Sequence, residues 1–424
     1  MYKAPRGTAD ILPQDQPYWH LVQQKAQVLC QLYGYSRIDT PVFEEAGLFV
    51  RTIGPGTDIV EKEMYTFQDR GDNLLTLRPE GTAPVCRAYL EHGLHTLPQP
   101  VRLYYLATIY RYERPQKGRY REHHQFGYEA IGDPDPSLDA EVIDLAWQLC
   151  LSLGLQGLSL KLNSIGCRAC RPDYIKKLKE YYEPHLSGLC PDCQRRFQSN
   201  PLRLLDCKQA SCQPFALQAP RSIDSLCADC ASHFSTLGQH IKDLGLPYEL
   251  DHRLVRGLDY YTRTVFEIQP PEEGAQNTLG GGGRYDHLME ELGGHPTPAV
   301  GFATGIERLV LNLKRQQVPV PPLPGPRVLV AYAGKEYQRA AWQLLYELRR
   351  GGVPALGASA PKSLRAQLRQ ADALGLPWAL ILGEEEVRQG VVLLRDMASG
   401  KQQSVPRSQI VDRLRGLDSP PGPA

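Results

Sequence analysis

The chain reads as an α+β protein: an antiparallel sheet flanked by helices, followed by a small, separate α/β domain. Three observations predict this. Residues 101–112 are apolar and β-branched or aromatic, a polar basic segment follows, and residues 124–131 are again extended, which makes a long antiparallel hairpin with a basic tip. Residues 318–326, Val-Pro-Val-Pro-Pro-Leu-Pro-Gly-Pro, form a stiff linker and a break in composition. Beyond it, strand patterns at 328–332 and 378–382 alternate with helical patterns at 336–350 and 363–374, as expected of helices covering a sheet.

The remaining elements follow from local pattern. Residues 15–33 carry Tyr18, Leu21, Val22, Leu29, Leu32 and Tyr33 on one helical face, and Gly34 is placed to stop the helix. Residues 38–45 read as extended, with Pro41 barring a central ladder position. Residues 299–309 read as a strand turning into a helix, and the tail 419–424 is expected to be disordered. No internal repeat is present.

Bulk properties set limits. A chain of 424 residues is too long for one ordinary core and implies two or three domains. Lys+Arg 48 against Asp+Glu 47 gives a net charge of +1, so a nucleic-acid partner would have to be met by local basic clusters. Arg111, Arg114, Lys117, Arg119 and Arg121 form such a cluster. No apolar run approaches membrane-span length and the N-terminus lacks the apolar core of a signal peptide, so no membrane contact and a cytoplasmic location are expected. In that setting the 11 cysteines are reduced thiols or metal ligands rather than disulfides.

Three polar clusters carry chemistry. Residues 254–268 pack Arg256, Gly257, Asp259, Tyr260 and Tyr261 just before an alternating strand that can hold them rigidly. Residues 76–82, Thr-Leu-Arg-Pro-Glu-Gly-Thr, and 279–286, Leu-Gly-Gly-Gly-Gly-Arg-Tyr-Asp, flank it. No Gly-x-x-x-x-Gly-Lys-Ser/Thr is present, so a nucleotide would have to be held by arginines on a sheet instead of a P-loop. Guanidiniums suit that task because they bind phosphate oxygens bidentately and keep their proton. Taken singly, each residue has a plainer reading. Arg256 fits a strand-surface ion pair, Glu80 an acid at a helix start, and Gly280 to Gly283 a hairpin turn.

Taken together, the clusters resemble a family. Arg111-Tyr-Glu113, the basic loop, Gln125 and Glu129 resemble the second signature motif of class II aminoacyl-tRNA synthetases; Gly305-Ile-Glu-Arg308 resembles the third, and the Pro41 segment the first. The clusters around Arg256 and Tyr285 resemble the histidine-specific motifs of bacterial histidyl-tRNA synthetases, and the likeness runs from Arg6-Gly-Thr-Ala-Asp10 to the terminal domain. It implies a class II catalytic domain over 1–325, containing a Cys-rich insertion at 164–247 that closes over the tRNA acceptor stem, and an anticodon-binding domain over 326–418. It implies a homodimer that activates L-histidine with ATP and Mg²⁺ and transfers it to histidine tRNA.

By the same resemblance, Arg111 and Arg256 hold the α-phosphate, Arg308 the γ-phosphate, and Glu113 the adenine side. Glu129 and Tyr261, with Tyr260 and Tyr285 nearby, read the imidazole; Glu80 and Thr82 hold the α-amino group, and Gln125 adds a polar contact. Residues 115–119 would meet the acceptor end, and Lys176, Lys177, Arg195 and Arg196 are candidate phosphate contacts or simply a solvated face. One departure stands out: the family has a phenylalanine stacking on adenine where this chain has His123, whose neutral ring still offers a flat face but adds a potential pH dependence. His123 and His124 as metal ligands lack partner spacing. Synthetase-like regulatory subunits of ATP phosphoribosyltransferase share the fold, but they typically lose parts of the Arg256–Tyr261 motif and the terminal domain, both present here.

Eight cysteines pair as Cys167-x₂-Cys170, Cys190-x₂-Cys193, Cys207-x₄-Cys212 and Cys227-x₂-Cys230. Such spacing permits two four-thiolate zinc sites that would staple a thinly cored insertion; small buried thiols without metal are the alternative.

Overall fold

The computed structural model describes residues 2–54, 57–114, 119–271, 278–358 and 362–417. The chain divides into two compact units, Met1–Pro321 and Pro322–Ala424, and the division falls inside the proline-rich linker. The tail at 419–424 and the loop residues 115–118 lie outside the described residues.

The first unit is built on an eight-stranded sheet. Its strand order is Ser36–Arg37, Val101–Tyr110, Glu122–Ile131, Ala299–Gly305, Gly280–Arg284, Thr262–Gln269, Ser159–Ser164 and Tyr248–Leu250. The six inner strands are antiparallel, and each edge strand joins in parallel. The hairpin expected from sequence is present, paired from Val101↔Ile131 to Tyr110↔Glu122. Its first strand ends two residues early, because Tyr112 N–H donates to Glu63 O (2.7 Å) and leaves the ladder. The second begins two residues early, at Glu122.

Helices cover both faces. Gln16–Leu32 packs with Pro136–Ser152 and Ile306–Arg315 against one face, in a core that includes Trp19, Tyr128, Phe266 and Phe302. The buried stripe of the first helix is Trp19, Val22, Ala26 and Cys30, so it is turned from the face expected, and Leu32 is exposed. Gly34 ends the helix at φ +76°, a region closed to most side chains. The other face carries Thr82–Glu91 and the insertion helices Arg171–Tyr182, Pro191–Ser199 and Gln213–Gln218, whereas the insertion's last helix, Ala228–Asp243, packs through Leu237 and Ile241 into the first core beside Pro136–Ser152.

The Pro41 segment leaves the large sheet after Arg37 and starts a three-stranded sheet of Phe43–Glu45, Leu74–Leu77 and Tyr65–Gln68. Arg78 fastens the two sheets together: its guanidinium donates to Thr108 O (2.8 Å), Thr40 O (2.8 Å) and Pro41 O (3.2 Å).

The second unit is a five-stranded sheet ordered Ala355–Gly357, Val328–Tyr332, Trp378–Leu382, Val391–Asp396 and Gln402–Pro406. The first three strands are parallel and the last two antiparallel. The expected helix at 336–350 is Gln338–Arg350, preceded by a tight turn at Lys335–Tyr337. Buried Gln367 closes the end of one strand, accepting from Tyr332 N–H (3.0 Å) and donating to Tyr332 O (3.0 Å).

Arg284 pins the large sheet to a helix. A bulge between Gly283 and Arg284 turns its side chain inward, where it is fully buried. There it meets Asp139 of Pro136–Ser152 through two nitrogens (2.7 and 3.0 Å), and donates to Asp133 O and Asp135 O. Arg284 Nη1 also donates to Asp286 Oδ1 (3.2 Å), so removing the Asp139 charge leaves the fully buried guanidinium with that single, partly exposed carboxylate. Asp139→Asn is therefore expected to destabilise the first unit by about 3–5 kcal/mol, seen as a lower denaturant midpoint; a shift of under ~1 kcal/mol would contradict this account.

Candidate active site

A cavity of about 270 Å³ opens on the insertion-side face of the large sheet. Ten of the site residues expected from sequence line it: Glu80, Thr82, Arg111, Glu113, His123, Gln125, Arg256, Tyr260, Tyr261 and Arg308. They come from the helix start at 80–82, the central hairpin, the segment before Thr262–Gln269 and the third-motif helix. Glu129 and Tyr285 do not line it; they lie buried beneath. Tyr285 Oη donates to Glu129 Oε2 (2.5 Å), and Thr82 Oγ1, in the wall, donates to Glu129 Oε1 (2.8 Å).

One end of the cavity is cationic. Arg111 is aimed by its Nε donating to Pro79 O (2.7 Å), and Arg308 by its Nη1 donating to Thr278 O (2.9 Å). Arg256 Nη1 donates to Glu267 Oε1 (2.5 Å), while Thr278 Oγ1 holds the other oxygen of Glu267 (2.8 Å). Burial works against the charge on Arg256, but Tyr261 and Glu267 outweigh it and raise its pKa. Arg308 moves the other way: burial lowers its pKa, and the guanidiniums of Arg119 and Arg111 add to the effect. Like charges gathered at a partly desolvated point make an anion site.

The other end is acidic and phenolic. Glu80 accepts from the backbone N–H groups of Thr82 (2.6 Å) and Ala83 (2.7 Å), so the plainer reading of it as a helix-start acid describes its bonding, although it also faces the cavity. Burial raises its pKa against those bonds. Gln125 presents a buried Oε1 that has no hydrogen-bond partner among the described residues. Tyr260 packs edge-on against Tyr285 and tilted against Tyr261, which fixes all three rings. Glu129 is pushed up to about 8: burial is the main cause and Glu80 adds to it, against the lowering bonds from Tyr285 and Thr82.

Gly280 to Gly283 form a strand, not a turn. A Cβ at Gly281 would sit 2.6 Å from Arg256 Nη1, and one at Gly282 would sit 2.0 Å from Gly301 O. The run thus admits both a facing strand and the arginine. His123 is held neutral, pushed down to about 3 by burial, then by Arg111 and Arg308, which removes the pH dependence entertained for it. His124 Nδ1 lies 2.9 Å from Glu307 Oε1 and its ring meets Trp19 edge-on, an ordinary packed arrangement.

Sequence reasoning missed Glu267, Thr278 and Tyr105 in the wall. Glu267 had a signal, being the lone carboxylate in the strand after the arginine cluster. Of the candidate phosphate contacts in the insertion, Arg196 pairs with Asp58 (3.0 Å), Arg195 with Asp192, and Lys177 donates to Ser225 Oγ (3.1 Å); Lys176 is exposed. The eight insertion cysteines line no part of the cavity. They gather as Cys167, Cys170, Cys227 and Cys230, and as Cys190, Cys193, Cys207 and Cys212.

Comparison with known proteins accounts for this arrangement. The family model for histidyl-tRNA synthetase matches residues 7–168 and 200–309, and that for the anticodon binding domain matches 327–417. The chain belongs to the histidyl-tRNA synthetase family. With that it is an aminoacyl-tRNA ligase. The histidine–tRNA ligase of Dehalococcoides mccartyi is 60% identical over 415 residues, covering 98% of this chain and 99% of that protein. That of Desulforamulus reducens is 51% identical over 407 residues, covering 96% and 97%. Among solved structures, the apo histidyl-tRNA synthetase of S. aureus superposes with a TM-score of 0.82 at 37% identity, covering 97% of this chain and 99% of its own.

The raised pKa of Glu129 has a consequence for this synthetase-family chain. Between pH 4.5 and about 8 the folded chain keeps a proton that the unfolded chain has lost, so stability falls as pH rises through that window. Glu129→Gln cannot ionise, and its Tm relative to the parent protein is expected to rise from about pH 5 to about pH 8.5. Thermal melts at the two values check this; a constant difference would contradict it.

Proposed function

We propose that the chain is a histidine–tRNA ligase that activates L-histidine with ATP and then charges the 3′ end of histidine tRNA. The observation that carries this is the meeting of Arg111, Arg256 and Arg308 at one end of a cavity whose other end offers Glu80, Thr82, Gln125, Tyr105, Tyr260 and Tyr261. In the first step a carboxylate oxygen of histidine attacks the α-phosphorus, the new O–P bond forms, and pyrophosphate leaves. Negative charge builds on the phosphoryl oxygens, and guanidiniums fixed beforehand stabilise it without reorganising. In the second, the tRNA ribose 3′-hydroxyl attacks the histidyl carbonyl and AMP leaves.

In this reading Arg111 and Arg256 hold the α-phosphate, Arg308 the γ-phosphate, and Glu113 the adenine side. The neutral ring of His123 supplies a flat face to the base. Gln125 Oε1 and Glu80 accept from the α-ammonium, Thr82 carries the contact to Glu129, and Glu129 with Tyr261 reads the imidazole nitrogens. Glu113 and Glu267, the carboxylates lining the cationic end, would be the residues to hold Mg²⁺, which would neutralise triphosphate charge there. The insertion cysteines line no part of the cavity, so a Zn²⁺ held there would take no direct part in this chemistry.

The insertion at 164–247 is assigned to the acceptor stem and the second unit to the anticodon. A cytoplasmic homodimer is the working form. The dimer is supported by the three-stranded sheet, where the pleat puts Phe43 and Phe67 on one face with Leu75 and Leu77; both phenylalanines are exposed in the single chain. The regulatory-subunit alternative is not favoured. A solved structure from Bacillus halodurans, whose name pairs that subunit with histidyl-tRNA synthetase, is only 23% identical and speaks to fold alone.

Arg256→Ala is expected to lower histidine-dependent ATP–pyrophosphate exchange at least about tenfold, the loss of one charge-assisted bond; unchanged exchange would reject its role. Glu129→Gln should raise the KM for histidine far more than that for ATP, and an equal rise in both would point to a folding defect. Phe67→Asp is expected to convert a dimer into monomers in sedimentation velocity; a parent protein that is already monomeric would sink the dimer.

A further inference from the structure

Within each cysteine group all four sulfurs lie within 4.8 Å of one another. Cys167 Sγ is 3.8 Å from both Cys170 Sγ and Cys227 Sγ, and Cys190 Sγ is 3.8 Å from Cys207 Sγ. Four thiolates around one zinc at ~2.3 Å stand at the corners of a tetrahedron with an edge of ~3.8 Å. A disulfide would need ~2.05 Å, and all eight thiols are free. Buried thiols that merely fill space have no reason to meet four at a time, and Cys167, Cys190 and Cys227 are only half-buried.

Helix starts and backbone N–H groups face several of these sulfurs. Cys170, Cys190 and Cys227 are the residues that open Arg171–Tyr182, Pro191–Ser199 and Ala228–Asp243. Backbone N–H groups point at sulfur: Cys167 N to Cys170 Sγ (3.3 Å), Cys190 N to Cys212 Sγ (3.3 Å) and Cys193 N to Cys190 Sγ (3.5 Å).

Both groups also reach the loop that carries Arg256 and Tyr261. Arg171, next to Cys170, donates to Tyr261 O (2.5 Å) and Gly166 O (3.1 Å). Asn200, between Cys193 and Cys207, donates through Nδ2 to Asp259 Oδ1 (2.7 Å). The geometry points to two closed, four-thiolate zinc sites, one nested within the other along the chain, that position the 256–261 loop from the insertion side. Each zinc replaces thiol protons and leaves no open coordination position, so the sites are structural and the cysteines are positioning residues, not catalytic ones.

The positioning half rests on the proposed histidine site; the metal half does not, and the two are read separately. Full-length protein purified without chelator is expected to hold two zinc ions per chain by elemental analysis. Cys167→Ser and Cys193→Ser should each lower that to one. Exchange into Co²⁺ should give the visible bands and thiolate-to-cobalt charge transfer of a tetrahedral sulfur site, a readout that survives if either variant fails to fold. One zinc per chain overturns the double assignment, and less than one without tetrahedral cobalt bands overturns both sites. Where the serine variants fold, their KM for histidine should rise about tenfold with little change for ATP; zinc loss with an unchanged KM overturns the positioning role.

Discussion

The site exists because small residues stand beside Gln125, Glu129 and Glu267 across the ladder. On the strand Glu122–Ile131, His123, Gln125, Gly127 and Glu129 alternate onto one face of the sheet. Their neighbours on Ala299–Gly305 are Gly305 beside Gln125, Ala303 beside Gly127 and Gly301 beside Glu129. One strand further, Gly281 continues that row to Glu267, and Gly283 stands beside Gly301. A Cβ at Gly301 would fall 1.7 Å from Glu129 Oε2, and one at Gly127 would fall 2.4 Å from the Tyr105 ring. The cavity is therefore carved from the sheet itself. A one-residue slip would send the entire polar row to the opposite face, into the core of Phe126, Tyr128 and Phe302. Register, core and chemistry are one constraint.

Charge follows from that carving. Removing side chains at 281 and 283 lets Arg256 lie over the sheet, where Glu267 and the Tyr261 ring support it. Arg111 and Arg308 arrive from the ends of other elements and converge, and burial with the neighbouring guanidiniums depresses Arg308 and holds His123 uncharged. A site left in that state costs stability in the free chain, and an anionic ligand relieves it. The structural price is offset elsewhere, notably by Arg284 and Asp139, where a buried charge is matched by a buried charge and two carbonyls.

Local pattern made much of this legible, and distance in sequence hid the rest. The hairpin, the linker and the strands at 328–332 and 378–382 could be read because each is a short run whose period or composition is self-contained. Arg111, Arg256 and Arg308 could be singled out because they sit in dense polar motifs. Their partners could not. Glu267 looks like any solvent-facing strand residue until Gly281 is known to lie beside it, and Arg284 belongs to a histidine motif yet faces away from the cavity, toward Asp139, 145 positions earlier. The helix face of 16–32 was misjudged because tyrosines that look apolar in a window lie half-exposed at the rim, while Trp19, Ala26 and Cys30 go inside. The three-stranded sheet and the antiparallel strands 391–396 and 402–406 escaped notice; their short, mixed runs carry little periodicity of their own.

Two carboxylates at the histidine end show how environment divides roles between identical groups. Glu80 has both oxygens held by backbone N–H groups of a helix start, which fixes its orientation and opposes the effect of burial. Glu129 receives only hydroxyls, from Thr82 and Tyr285, and burial dominates. A hydroxyl can turn and become an acceptor, whereas a backbone N–H cannot. Glu80 is thus a fixed acceptor. Glu129 can hold or release a proton while its neighbours rotate to suit, a property that the proposed reading of an imidazole would use, since that ring presents a donor at one nitrogen and an acceptor at the other.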